Sequence, residues 1–149
     1  MDSSGKIIRE ALHQYMPYYF GFINPILHKE NTEKYALNEN QVRTLFCINF
    51  LMEATPTIIS QAINIQKGSL TTIIKSLIKL DLITKEYDNN DDRRYYLSLT
   101  DKGNAFIEYK QKKQEEELNQ LFSRLNESDV EKISEGFHIL SNYLKQIGK

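Results

Sequence analysis

Arg93 and Arg94 stand side by side in the polar run Asn89-Asn90-Asp91-Asp92-Arg93-Arg94. The run lies between two segments, Thr84 to Asp88 and Tyr95 to Leu99, in which residue character alternates with a period of two. That period predicts two short strands and a β-hairpin whose tip pushes the arginines out from the body. Guanidinium groups held this way suit the narrow, negatively charged minor groove of DNA. Asp91 and Asp92 carry the wrong sign for such a surface, yet a carboxylate beside an arginine can hold the guanidinium in one rotamer through a two-pronged bond. An ordinary polar loop with local ion pairs is the other reading of the same residues.

A second group lies just upstream. Leu70, Ile73, Ile74 and Leu77 recur at i, i+3, i+4 and i+7, which predicts one buried face of a helix from about Lys67 to Leu80. With Leu70 inward and about 100° per residue, Gly68, Thr71, Thr72, Lys75, Ser76 and Lys79 face outward, with Ser69 at the edge. This face is wholly polar, carries lysines and has no carboxylate. Small hydroxyls let a helix sit deep in a major groove and bond base edges or phosphates, while lysines neutralise phosphate charge. Taken alone, the stretch also fits a solvated amphipathic helix.

Other chemistries find no support in the residues. His13, His28 and His138 show no metal-ligand spacing, and the single cysteine, Cys47, excludes an internal disulfide and a cysteine-rich zinc site. Cys47 sits among Leu45, Phe46, Ile48 and Phe50 and reads as an inert thiol. No phosphate-binding glycine loop, nucleophile elbow or Ser/His/Asp order appears, so neither an enzyme nor a cofactor is expected.

The elements that must position these groups are mostly helical. The chain has 149 residues, 40% hydrophobic and 26% charged, with 19 basic against 20 acidic side chains and a net charge of -1. Such a chain supports one hydrophobic core, and a near-neutral balance confines any nucleic-acid surface to a local patch. Met1-Asp2-Ser3-Ser4-Gly5-Lys6 lacks a basic region followed by an apolar run, and the apolar stretch from Met16 to Leu27 is short and broken by Pro17, Asn24 and Pro25. A cytoplasmic protein without membrane attachment is expected.

Apolar residues from Ile7 to Leu27 follow steps of three and four, with Pro17 expected to kink or restart the helix. Asn38-x-x-Gln41 reads as a capping box, followed by a face of Val42, Leu45, Phe46, Asn49 and Phe50. Thr55-Pro56 opens a short helix through Ile58, Ile59 and Ala62, and Asn64 ends it. Thr100 caps a long helix to about Leu125, and Asn126-Glu127-Ser128-Asp129 starts another to about Gln146. In the last helix Val130, Ile133, Phe137, Leu140, Leu144 and Ile147 form the seam of a helix that packs along another. Two helices joined at Asn64-Ile65-Gln66 and followed at once by a hairpin have the order of a winged helix-turn-helix.

Asp91-Asp92-Arg93 followed by a strand and Leu99-Thr100-Asp101-Lys102-Gly103 resembles the wing signature of the MarR family of transcription regulators, D-x-R, a strand, then L-T-x-x-G. Leu37-Asn38-Glu39-Asn40-Gln41 resembles that family's L-T-x-x-Q, and Lys67 through Leu77 with Leu82-Ile83 resembles its recognition helix and wing entry. The resemblance implies a mainly α fold with a small β-hairpin wing, in which a winged helix-turn-helix is flanked by N- and C-terminal dimerisation helices. It implies one domain over 1–149, with the DNA-binding unit at about 37–100 and dimerisation helices at about 5–30 and 101–147. Each half of a homodimer would read half of a palindromic operator in double-stranded DNA. Arg93 would enter the minor groove with Asp91 as its orienting partner, and Lys67, Ser69, Thr71 and Thr72 would face the major groove. Thr72 stands where the family often has Arg, Lys75 where it often has Asp, and Asp81 where it usually has Gly.

The resemblance further implies a cleft for a small aromatic or anionic effector between dimer helices and winged unit, with Tyr15, Tyr19, Phe22 and Tyr35 as candidate lining. Core and interface packing is the other reading of those aromatics. The expected function is a dimeric repressor released by a ligand. A winged-helix module that binds a protein partner and no specific DNA is the alternative, motivated by the acidic hairpin tip.

Overall fold

The computed structural model describes residues 3–29 and 35–148. The ends of the expected 1–149 domain and residue 30 of the expected first dimerisation stretch lie outside the described residues. The chain divides into two compact units, Met1–Glu115 and Glu116–Lys149.

In the first unit Ser3 accepts the Lys6 amide and opens α1 (Ser4–Tyr18). The expected restart does not fall at Pro17 itself. The helix runs through the proline, and two residues later its period widens into a π-helical turn at Tyr19–Ile23 before α2 (Asn24–Leu27). The capping box forms as expected: the Gln41 amide donates to Asn38 Oδ1 at 2.9 Å and the Asn38 amide to Gln41 Oε1 at 2.8 Å, opening α3 (Glu39–Phe50). Thr55 caps α4 (Pro56–Ala62) by accepting the Ile58 amide. Asn64 turns the chain at φ +53°, and α5 (Lys67–Lys79) follows. After α5 come the antiparallel strands β1 (Ile83–Asp88) and β2 (Asp91–Leu99), then α6 (Asp101–Leu121).

The core sits where α3, α4, α5, the hairpin base and the start of α6 meet. Val42, Leu45, Ile59, Leu77, Leu82 and Phe106 have no exposed surface. The buried face of α5 is Leu70, Ile73, Ile74 and Leu77, as its spacing predicts. On α3 the predicted face is corrected. Val42, Leu45 and Ile48 are buried together with Thr44, whose hydroxyl donates to the Asn40 carbonyl at 2.7 Å, whereas Asn49 and Phe50 are exposed. Thr44 tolerates burial because that bond satisfies its hydroxyl.

The end of α5 is tied to the start of α6 through backbone groups. The Leu82 amide reaches back to the Leu77 carbonyl and the Asp81 amide to Ile78, a two-bond helix stop that puts Asp81 at φ +59°. The Thr100 hydroxyl donates to the Asp81 carbonyl at 2.6 Å, and Lys102 donates to Leu80 at 2.9 Å. Gly103 packs on this corner, where a Cβ would run into the Leu82 carbonyl oxygen. The Leu97 amide donates to Ala54 at 2.8 Å, pinning β2 to the loop before α4.

In the second unit Asn126 accepts the Asp129 amide at 2.8 Å and opens α7 (Glu127–Ile147). No residue of α7 is buried, and the predicted seam stays in solvent, with Val130 48%, Phe137 51%, Leu144 51% and Ile147 63% exposed. Among the described residues no helix is long and apolar enough to cross a membrane, and no group of three or more His, Cys, Asp or Glu is placed to hold a metal ion.

Candidate nucleic-acid interface

Helix α5 presents Lys67, Gly68, Ser69, Thr71, Thr72, Lys75 and Lys79 to solvent. The N-cap residue, Gln66, makes no side-chain bond to the first-turn amides, leaving that helix end open to an anion. Thr71 donates its hydroxyl to the Lys67 carbonyl at 3.0 Å and Thr72 to Gly68 at 3.4 Å. With their protons spent inside the helix, both threonines offer outward a methyl group and an acceptor oxygen. Those are the groups that meet a thymine methyl and a base amino group in a major groove. Ser76 departs from the predicted face. It is half-buried, accepts from Gln41 Nε2 at 2.8 Å and donates to the Ile73 carbonyl at 2.8 Å, so it belongs to the interior side of the helix.

The hairpin differs from its prediction in where it turns. Only Asn89 and Asn90 lie between the strands, and β2 begins at Asp91, because Asp88 pairs with Asp91 while Tyr87 pairs with Tyr95. Asp92, Arg93 and Arg94 are therefore extra residues on β2 at an irregularity of the ladder, and the bulge, not a loop, aims them outward. The Arg93 side chain is 95% exposed. Asp91 does orient it, though not by the expected two-pronged bond. Its Oδ1 accepts the Arg93 amide at 3.0 Å and lies 3.6 Å from Arg93 Nε. An exposed pair of this kind adds little stability, and its effect is on rotamer choice. Arg94 lies over the Tyr96 ring, 5.9 Å from its centroid. Between the hairpin and α4 lies a cleft of about 590 Å³, lined by Thr55, Pro56, Thr57, Ile58, Arg93, Arg94 and Tyr95.

Two acidic groups of the wing, Glu86 and Asp88, line a separate groove together with Glu53 from the loop before α4.

A second cavity, of about 580 Å³, opens among Leu27, His28, Arg43, Phe46, Cys47, Phe50, Leu51, Ala62, Ile63, Gln111 and Gln114. None of Tyr15, Tyr19, Phe22 and Tyr35 lines it. Tyr19 lies behind it, its hydroxyl 3.4 Å from His28 Nε2, and Tyr15 packs on Tyr19. Phe22 is exposed, and Tyr35 packs edge-on against Phe106 with the Lys102 ammonium over its face. The lining carries a signal that sequence reasoning missed. Arg43, Phe46, Cys47 and Phe50 form their own i, i+3, i+4, i+7 stripe on α3 beside the buried one. Burial and the neighbouring Arg43 cation lower the His28 pKa, against a smaller opposite pull from Glu39. Burial raises the Cys47 thiol pKa, which disfavours a reactive thiolate.

Residues 37–95 match the model of the MarR family. Comparison of the whole sequence with curated proteins returns no match. Solved structures share the fold over nearly the full length. A MarR transcriptional regulator from Methanosarcina mazei Go1 is 20% identical with a TM-score of 0.65, covering 95% of this chain and 99% of its own. The transcriptional regulator BldR from Sulfolobus solfataricus is 16% identical with a TM-score of 0.70, again covering 95% and 99%. The transcriptional regulator Tm0710 from Thermotoga maritima is 21% identical with a TM-score of 0.59, covering 97% and 99%. The order helix, turn, helix, hairpin agrees with these matches: residues 37–95 are similar to the MarR family, and the chain has the winged-helix fold of the MarR regulators it matches.

Proposed function

We propose that the protein is a cytoplasmic, homodimeric transcription regulator that binds a palindromic operator and is released from it by a small ligand. One observation carries the reading: the exposed face of α5 is lysine-bearing, free of carboxylates and, apart from Ile78 near its end, polar, and the wing beside it projects Arg93 almost fully into solvent. Lys67, Gly68, Ser69, Thr71, Thr72 and Lys75 would enter the major groove, and Asp91, Arg93 and Arg94 would act at the minor groove. The chain then works as one MarR-like domain over 1–149, with a DNA-binding unit at about 37–100. Pairing through about 5–30 and 101–147 would cover the exposed apolar residues of α1 and α7.

The 580 Å³ cavity is the favoured ligand site, with Tyr19 contributing through His28. Its mixture of apolar walls with one guanidinium, from Arg43, suits an aromatic compound bearing an acidic group. A ligand that alters the spacing of the two recognition helices would break their match to major grooves about 34 Å apart.

Selection of bound sequences from random duplex DNA, at two salt concentrations, tests the reading. An enriched palindrome whose recovery falls with salt supports it. The acidic groove at Glu53, Glu86 and Asp88 favours the second reading, a winged-helix module for a protein partner. A folded dimer that enriches no sequence and passes through heparin at low salt would select that second reading.

A further inference from the structure

The apolar face of α5 holds the helix against the core, but apolar contacts are non-directional and leave some freedom of tilt and slide. Hydrogen bonds remove that freedom because they constrain distance and angle together. Two such bonds reach the helix-turn-helix from the same short stretch of α3. Gln41 Nε2 donates to Ser76 Oγ at 2.8 Å, in the second half of α5. Arg43 Nη2 donates to the Ile63 carbonyl at 3.0 Å, in the turn that leads into α5.

Both donors are themselves held. Gln41 uses its oxygen for the α3 capping box, and the Arg43 guanidinium also approaches Asn40 Oδ1 at 3.5 Å. Ser76 is locked in turn by its bond to the Ile73 carbonyl. The beginning of α3 is therefore a two-point clamp, with one contact before α5 and one along it. The far end of α5 is fixed separately through the Leu80 and Asp81 carbonyls.

We propose that Gln41 and Arg43 are positioning residues that set the angle of α5, and that they govern discrimination between DNA sequences without touching DNA. The inference rests on the reading of α5 as the DNA-reading helix. Base recognition needs side chains held within about 0.5 Å, whereas attraction to phosphates tolerates looser placement. Loss of the clamp therefore degrades sequence discrimination and leaves the electrostatic part of binding in place.

The test uses the full-length protein with Ser76→Ala, Gln41→Met and Arg43→Met, and with Gln41→Glu and Arg43→Lys as conservative partners. Glu can accept the Asn38 amide and, once the Ser76 hydroxyl turns its one proton from the Ile73 carbonyl to the carboxylate, that hydroxyl as well, and Lys can still reach a carbonyl. Two quantities are read: the ratio of affinity for a selected duplex to that for a scrambled one across a salt series, and hydrogen exchange of residues 63–80 in the protein alone. Each lost bond should lower the affinity ratio about three- to tenfold with an unchanged salt slope. Exchange in α5 should rise, and the Glu and Lys variants should recover most of both effects. Unchanged ratio and exchange in folded variants would overturn the proposal, as would Glu and Lys variants no better than Met. Ser76→Ala removes one oxygen and keeps every apolar contact, so it decides the matter if the α3 variants fail to fold. If the wild-type protein selects no duplex, the DNA reading fails, and hydrogen exchange still decides whether the clamp holds α5.

Discussion

Arg93 reaches solvent from a bulge with one carboxylate beside it, so little in the fold depends on its guanidinium. Arg93→Ala should leave the melting temperature nearly unchanged, since surface changes of this kind fall within about 0.5 kcal/mol. Affinity for a selected duplex should drop about tenfold, and the preference for AT-rich flanks should weaken. Gel-shift titration against AT- and GC-flanked sites reads both, and unchanged affinity and preference would remove Arg93 from the interface. His28 contributes stability that depends on pH on the acid side. Burial and Arg43 depress its pKa in the folded state, while the unfolded chain keeps a value near the ordinary 6.5. Between those two values the unfolded chain binds more protons, so stability is full above about pH 6.5 and is lost as pH falls through the folded value. His28→Gln should flatten that fall, as read by urea midpoints of both proteins from pH 8 to pH 5.5.

Among the elements, the corner between α5 and α6 offers two substitutions of opposite sign. Asp81 holds φ +59° and supplies the end of α5 with backbone bonds alone. A left-handed conformation costs an L-residue roughly 1 to 2 kcal/mol, less for Asp, and glycine's greater freedom when unfolded takes part of the gain back. Asp81→Gly should therefore stabilise by about 0.5 to 1 kcal/mol, a rise in melting temperature of about 1 to 4 °C. Gly103 has no comparable freedom to exchange. Its Cβ would meet the Leu82 carbonyl, which also accepts the Thr100 amide, and both are backbone groups. Gly103→Ala should destabilise by about 1 to 3 kcal/mol or more. Thermal unfolding of the two variants beside wild type checks both signs, and a stabilised Gly103→Ala would refute the close contact.

For the molecule as a whole, a net charge of -1 leaves attraction to DNA to a local patch. If two chains each contribute Lys67, Lys75, Lys79, Arg93 and Arg94, the logarithm of the binding constant should fall against the logarithm of salt with a slope of roughly -5 to -9. A slope near zero would deny the patch. The exposed apolar side of α7 carries the corresponding prediction for assembly. If the proposed dimer pairs through this side, Leu140→Asp combined with Leu144→Asp should shift it to monomer in sedimentation equilibrium while its helical content remains, because neither side chain is buried within the chain. A variant that stays dimeric would place the interface elsewhere.

Several features were readable from the order of residues because their causes are local. The apolar spacing of Leu70, Ile73, Ile74 and Leu77, the capping box at Asn38 and Gln41, and the helix start at Asn126 each depend on partners within seven positions. Helical period and capping bonds act over that range, so the run of main helices, the hairpin after α5 and the carboxylate-free face of α5 were legible in the residues alone, whereas the π turn after α1 was not. Tertiary structure decided what depends on distant partners. Ser76, outward by helical period, is turned inward by Gln41, 35 positions earlier. The hairpin closes at Asn89-Asn90 because the pairing of β1 with β2 gives Asp91 a place in the ladder, which no periodicity could reveal. The cavity gathers residues from Leu27 to Gln114, and the aromatic stretch near α1 that composition singled out lines none of it. Such features require groups far apart in the chain to meet, and that meeting depends on how whole elements pack, which short-range hydrogen bonding leaves open.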